Sequence, residues 1–225
     1  MKFSIIIPTL NEEDGIQRCL SALQPLRSTA EIIVADGGSD DNTVERAAAL
    51  ADKIVCSATG RARQMNAGAD QATGDVLLFL HADTSLPPNA LHLIRQQLGS
   101  PGQWGHFDIH LSGKPVMLKV IAFMMNRRSR LTGIATGDQA IFVSHTVFSA
   151  IGQYPDIALM EDIALCKTLN KLSRPICLDA KVSSSGRRWE RHGVWQTIVL
   201  MWRLRWRYFL GADPDALAAL YNKGK

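Results

Sequence analysis

Paired cysteines are missing from this 225-residue chain: Cys19, Cys56, Cys166 and Cys177 stand far apart, with no C-x-x-C among them. Their spacing argues against a zinc site or a disulfide framework and fits a reducing, cytoplasmic compartment. Long apolar runs are missing too. No stretch reaches the ~18 apolar residues of a spanning helix, and the apolar part of MKFSIIIPTL is too short for a secretion signal. No G-x-G-x-x-G follows the first apolar run and no G-x-x-x-x-G-K-[ST] occurs, which excludes the usual dinucleotide fingerprint and a P-loop. A compact basic stripe is also absent, so nucleic acid is not an expected partner.

What is present suits one large domain or two small ones with an ample core. The net charge of +4 is unevenly spread. From Lys181 onward nine basic residues face three acidic ones, leaving that tail at +6 and the first 180 residues at −2. A basic tail suits an anionic partner, either phosphates or a membrane surface.

The first half alternates apolar runs with amphipathic ones. FSIII (3–7), EIIVA (31–35), KIVC (53–56) and the run 76–80 read as strands. Helices are predicted over 14–23, 43–50 and 61–72, with Asn42 and Glu45 placed for a capping box. Such alternation with short connections predicts an α/β domain with a mostly parallel sheet. In such sheets ligands bind beyond the carboxyl ends of the strands. Three strand ends release polar clusters there: Pro8–Glu12, Asp36–Asp41 and His81–Thr84. Their convergence favours a binding crevice over three coincidental caps. Within the third cluster, His81 and Asp83 are two apart and leave the strand on the same side. Asp83 suits either a divalent cation on a diphosphate or a helix cap. Arg61 and Arg63 suit either phosphates or a solvated helix face.

In the second half, 104–111 reads as a strand, 115–125 as a helix with a basic end, 133–139 as a loop and 140–143 as a strand. A helix begins at Met160-Glu161-Asp162. Adjacent acids at a helix start are favoured by its dipole, and one of them also suits a general base near a hydroxyl.

Five segments in order, SIIIPTLNEE, VADGGSDDNT, GDVLLFLHADT, TGDQAIFV and MEDIAL, resemble the inverting glycosyltransferases of family 2. A subgroup of short family members is similar through RSRLTG…GDQ and SGRRW as well. The resemblance implies a GT-A-like three-layer α/β/α fold with a mostly parallel central sheet. It also implies a nucleotide-sugar donor, a divalent Mg or Mn ion, and an acceptor that is lipid-linked or a small molecule. By that resemblance Pro8, Thr9, Asn11 and Glu12 border the nucleoside, and Asp36 lies near the base or ribose. Asp83 matches the metal carboxylate, and Asp162, paired with Glu161, matches the catalytic base. Gly137 and Asp138 lie beside the acceptor or donor sugar. Arg187 or Arg188, next to Trp189, stabilises the leaving diphosphate. Two positions depart from the pattern. Gly37 replaces an aspartate that commonly contacts uracil, and His81 replaces the first acid of D-x-D. His192 suits a further metal ligand or a surface histidine.

The expected organisation is a nucleotide-sugar-binding and catalytic domain over 1–180 and a helical tail over 181–225. Three tryptophans and Arg203, Arg205 and Arg207 lie within Val194–Leu210. That segment suits peripheral membrane contact, or a helix packed on the core with snorkelling arginines. Two other functional classes stay open on the residues alone. One is a sugar-phosphate nucleotidylyltransferase, which wants a glycine-rich basic loop after strand one; the other is a non-catalytic nucleotide-binding protein with the same fold.

Overall fold

A computed structural model of the chain describes residues 1–99 and 103–223. The last two residues of the expected tail lie outside it. The first half runs β1 (Phe3–Thr9), α1 (Glu13–Leu23), β2 (Ala30–Asp36), α2 (Thr43–Ala48), β3 (Lys53–Cys56), α3 (Arg61–Asp70) and β4 (Val76–Phe79). Then come β5 (Thr84–Ser85), α4 (Ala90–Gln97), β6 (Trp104–Ser112), α5 (Met117–Thr132), β7 (Phe142–Ser144) and α6 (His145–Ala150). The chain closes with α7 (Glu161–Leu169), β8 (Ile176–Ser185), α8 (Arg187–His192), α9 (Val194–Phe209) and α10 (Pro214–Lys223).

The strands form one eight-stranded sheet in the order β3-β2-β1-β4-β7-β6-β8-β5. β1 to β4 are mutually parallel, β7 enters antiparallel between β4 and β6, and β8 runs parallel to β6. The alternation of β1 shows why helices cover both faces. Ile5 and Ile7 enter a core with Ile16 and Leu20 of α1 and Ile94 of α4. Ile6 enters the opposite core with Met65 of α3, Phe148 of α6 and Leu169 of α7. Three layers result, as expected.

The helix expected from 115 with a basic end is α5, which carries that end to Thr132, where Gly133 adopts φ 69° and closes it. The capping box on α2 does not form. Asn42 donates instead to Glu13 Oε2 (3.1 Å), and Asp41 Oδ1 accepts the Thr43 N–H (3.0 Å). The division at residue 180 falls inside β8, a strand paired on both edges, so the helical tail begins at α8. The tail expected to pack on the domain has apolar contacts with the preceding chain. Leu204 of α9 and Leu217 of α10 share a small core with Met160 and Ile163 at the start of α7.

At the amino ends of the central strands, Glu31 accepts hydrogen bonds from Ser4 Oγ (2.6 Å) and Thr73 Oγ1 (2.9 Å) and pairs with Lys53 (3.3 Å). Burial raises its carboxyl, but these partners outweigh it and hold the group down at about 2. This clamp ties the α3–β4 connection to the sheet.

The β6–β8 pairing carries the second half, and it requires Gly105. A Cβ there would lie 2.3 Å from the Ile176 carbonyl oxygen and 2.5 Å from the Phe142 ring. Gly105→Ala is therefore expected to lower unfolding free energy by about 2 kcal/mol or more, read from urea denaturation midpoints. An unchanged midpoint would contradict this packing.

Candidate active site

The carboxyl ends of β1, β2 and β4 open on one crevice, and the polar clusters found there divide into scaffold and site. Asp36 belongs to the scaffold. Its Oδ2 accepts the N–H groups of Gly38 (2.9 Å) and Ser39 (2.8 Å), and its Oδ1 accepts the hydroxyls of Ser39 (2.5 Å) and Thr9 (3.3 Å). A carboxylate offers about four acceptor sites, so Asp36 has none left for a base or ribose. It shapes the β2–α2 loop instead. Thr9 is likewise buried, its hydroxyl on Asp36 and its carbonyl on Gly37 N–H (2.9 Å). Asn11 sits at φ 53°, and its side-chain oxygen accepts the Asp40 N–H (2.9 Å). Pro8 is built into β1 opposite Ala35. These residues form the wall of the crevice by their backbone.

Gly37 has a reason in this chain. A Cβ on it would stand 2.9 Å from the Gln64 side chain, whose amide donates to the carbonyls of Thr9 (2.6 Å) and Ala35 (3.1 Å). Gln64 thus fills the space that an aspartate at 37 would need. Its place in the sequence, near the start of a predicted helix, carried no signal of this role.

Glu12 and Asp83 remain open at the crevice mouth. Burial and the neighbouring Asp83 charge raise the Glu12 carboxyl, opposed by Arg187, Arg61 and His81. Arg187 Nη2 lies 3.9 Å from Glu12 Oε2, which brings the first turn of α8 to the end of β1. Among the described residues Asp83 accepts only the Thr84 hydroxyl, at 3.3 Å. Two half-buried carboxylates beside each other offer a hard cation a place to neutralise both. Among the described residues no three His, Cys, Asp or Glu side chains gather into a metal cluster. His192 lies in the last turn of α8. The donor set fits a cation held by one or two carboxylates and otherwise by substrate oxygens.

A second group of acids faces the same crevice, joined to the first by a tight turn. His81 Nδ1 and Asp138 Oδ1 are 3.0 Å apart. Gly137 passes so close to His81 that a Cβ would meet Nε2 at 2.5 Å. On its other side the Gly137 N–H donates to Asp162 Oδ2 (3.0 Å). The turn is held from below by Gln139, fully buried. Its Nε2 donates to the Phe107 carbonyl (3.2 Å) and Ser129 Oγ (3.0 Å), and its Oε1 accepts the Thr136 N–H (3.2 Å). Burial acts to raise Asp138, but the His81 hydrogen bond and the charges of Arg61 and Arg128 outweigh it and lower the group.

Asp162 and Glu161 open α7, after Met160 in the left-handed region at φ 72°. They differ in setting. Asp162 is half-buried, and its Oδ1 also accepts the Ile163 N–H (2.7 Å). Glu161 is 5 % exposed. Burial and the Asp162 charge push it up to about 7, against the opposing pull of Arg61. Arg61, on the first turn of α3, faces this acid group, with Glu161, Asp138 and Asp162 favouring its charge. Arg63 turns outward onto Asp156 (2.8 Å).

From the tail, Arg188 lies over the Tyr221 ring (3.9 Å), and Trp189 packs on the main core. Two cations that sequence reasoning did not single out for the site also approach Asp162. Arg128 comes from α5 and Arg205 from α9. Burial and mutual repulsion lower Arg128 to about 10, and Asp162 favours its charge. Arg205 is lowered by burial and favoured by Asp162 in the same way. Their only signal was membership of basic runs that read as helix ends and surface faces.

The Glycosyl transferase family 2 profile matches residues 4–155. The dolichol-phosphate mannosyltransferase of Pyrococcus furiosus is 35 % identical over 101 residues, covering 40 % of this chain and 28 % of that protein. Matches of this kind span about a third of the length of the curated relatives. Among solved structures, the mannosyltransferase PcManGT from Pyrobaculum calidifontis, in complex with GDP-Man and Mn2+, has a TM-score of 0.65 at 21 % identity. That match covers 85 % of this chain and 60 % of that one. Glucosyl-3-phosphoglycerate synthase from Mycobacterium tuberculosis, in complex with Mn2+, UDP and glucosyl-3-phosphoglycerate, has a TM-score of 0.60 at 19 % identity. It covers 81 % of this chain and 70 % of that one. At such identities the likeness speaks for a shared GT-A fold.

The acid pair gives a pH dependence of defined sign. A carboxyl raised in the folded state binds more protons there than in the unfolded chain, so stability falls as pH rises through the interval. For Glu161 that interval runs from its ordinary value of 4.5 to about 7. Glu161→Gln is expected to gain melting temperature relative to wild type across that interval, with the difference level above it. Parallel melting curves at all pH values would refute the shift.

Proposed function

The chain belongs to glycosyl transferase family 2, and from that premise we propose that it moves a sugar from a nucleotide-diphosphate donor to an acceptor hydroxyl, with inversion at the anomeric carbon. The observation that carries this reading is the clasp at Gly137-Asp138. It ties His81, two residues before Asp83, to the same turn that binds Asp162, which supports a crevice shared by the two carboxylates.

Asp162 is the proposed base. Each of its oxygens accepts one backbone N–H, which fixes the carboxylate and leaves lone pairs to take the acceptor proton. As that proton moves, the acceptor oxygen bonds to the anomeric carbon. The bond from that carbon to the donor phosphate oxygen breaks, and the nucleoside diphosphate leaves with the electron pair. Asp83, with Glu12 beside it, would hold Mg2+ or Mn2+, whose charge would offset that of the departing diphosphate. Arg187, reaching the same mouth from α8, is placed to add to it. Glu161 is proposed as a neighbour that stays protonated below about pH 7 and so keeps a second negative charge away from Asp162 there. Asp138, tied to His81, orients the sugar side of the crevice.

The two competing classes fit less well. A nucleotidylyltransferase would need glycines and cations after β1, where this chain has Leu10, Asn11, Glu12 and Glu13. A non-catalytic binder has no use for an aspartate held on two backbone N–H groups at the crevice.

Asp162→Asn is expected to fold, keep its nucleotide affinity and lose about 10²–10⁴-fold in turnover, measured as nucleoside diphosphate released per acceptor glycosylated. Wild-type turnover would end the assignment. For the metal, Mn2+ should strengthen the thermal stabilisation that a nucleoside diphosphate gives to wild type. Stabilisation at a hundred times Kd is about 2.7 kcal/mol. Asp83→Asn should lose the Mn2+-dependent part alone, and a variant that keeps it would remove Asp83 from the metal site.

A further inference from the structure

Most of the large exposed apolar side chains lie on just two helices. On α9, Trp195, Val199, Trp202, Trp206 and Phe209 are each 64–74 % exposed. Their steps of four, three, four and three place them within an arc of roughly 100° on a helix. On α5 and its cap, Val116, Val120, Phe123, Met124 and Leu131 are 51–77 % exposed and fall on a similar arc. The opposite sides of both helices face inward. α5 buries Leu118 and Ala122, and α9 buries Leu204.

The two helices start close together. Just before α5, the Lys114 N–H donates to Glu190 Oε1 (2.7 Å) of α8, four residues before α9. A cleft of about 500 Å³ lies there between Lys114, Pro115, Trp189, Glu190, Gly193 and Val194. Further along, Arg128 of α5 and Arg205 of α9 stand at the same step of each helix and sense each other's charge. The two stripes therefore start from one corner of the surface.

Charge decides the occupant. Neither α5 nor α9 contains a single acid, while α5 carries Lys119, Arg127, Arg128 and Arg130 and α9 carries Arg203, Arg205 and Arg207. Arg127 is exposed within the α5 stripe, and Arg203 is exposed at the rim of the α9 stripe. A second copy of this chain docked face to face would set these cations against like charges. An apolar protein groove would leave them unpaired. Neither helix is long and apolar enough to cross a membrane. Tryptophans with arginines at their edge fit the headgroup level of a bilayer.

We propose that α5 and α9 form one docking plate that lies flat on an anionic lipid bilayer. The plate goes beyond sugar transfer and does not depend on it. Its position does bear on the acceptor, because Arg128 and Arg205 reach from its inner side toward Asp162. A membrane-held acceptor hydroxyl would then approach the base from the plate.

Flotation of the full chain with phosphatidylcholine vesicles, with and without phosphatidylglycerol, tests this. Binding is expected only with the anionic lipid and should weaken as salt rises. Trp202→Ser with Trp206→Ser should weaken it at least about tenfold, as should Phe123→Ser with Met124→Ser. Arg203→Gln alone should cost about fivefold. All these side chains are exposed, so melting temperatures should stay at the wild-type value. Failure to float with either vesicle would overturn the proposal. So would full binding by the Phe123/Met124 variant, or a solution dimer dispersed by the tryptophan substitutions. Loss of sugar transfer in a detergent-solubilised assay with flotation intact would count against the catalytic reading and leave the plate standing.

Discussion

Gly137 has no room for a side chain. Its backbone runs against the His81 ring on one side and gives its N–H to Asp162 on the other. Any side chain there would push the end of β4 away from the start of α7. The neighbouring Asp138 completes the link through its contact with His81. The proposed transfer needs Asp83 and Asp162 to share a crevice, and this turn ties His81, two residues before Asp83, to Asp162. Gln139 beneath it is buried, with its amide on three neighbours, so the turn is set by the core and not by the surface.

Gathering so many carboxylates has an electrostatic cost, and the structure shows how it is met. Glu12 and Asp83 repel at one end, while Glu161 and Asp162 repel at the other. Arg61 lies within reach of both groups and favours the charged form of each. Burial handles part of the rest by keeping Glu161 protonated over much of the acid range. What this leaves unmatched is the Glu12–Asp83 mouth, where Arg187 stands at 3.9 Å from Glu12. A divalent cation with a diphosphate fits that imbalance. Two further cations, Arg128 of α5 and Arg205 of α9, also favour a charged Asp162.

The α/β architecture was legible from apolar periodicity. β3 falls on the residues predicted for it, and β1, β2 and β4 fall within a residue or two of theirs. Strands buried on both faces declare themselves as continuous apolar runs. The basic run 126–130 was legible as the end of α5, and contacts across the fold fix its place: Ser129 is buried, and Asn126 bonds both ways with Ile109 of β6. β8, within which residue 180 falls, carries no apolar signal through Ser183-Ser184-Ser185. Its partner β6 supplies the ladder that makes it a strand.

The amino-acid order alone determined which strand ends would carry polar clusters, because a buried strand must turn polar where it leaves the core. It also determined that acids would sit at the start of α7 and that the tail would be basic and rich in tryptophan. Tertiary structure decided what each group is free to do. Asp36 and Asp83 look alike in sequence, each an acid after a strand, but one has its acceptor sites filled by a loop and the other stays open. Glu161 and Asp162 are adjacent, yet a helix turns one into the core and the other toward the crevice. Arg128 and Arg205 are 77 positions apart, on α5 and α9, and both lie near enough to Asp162 for it to favour their charge. Protonation, partner and access depend on distances across the fold, and those distances are not a local property of any stretch of chain.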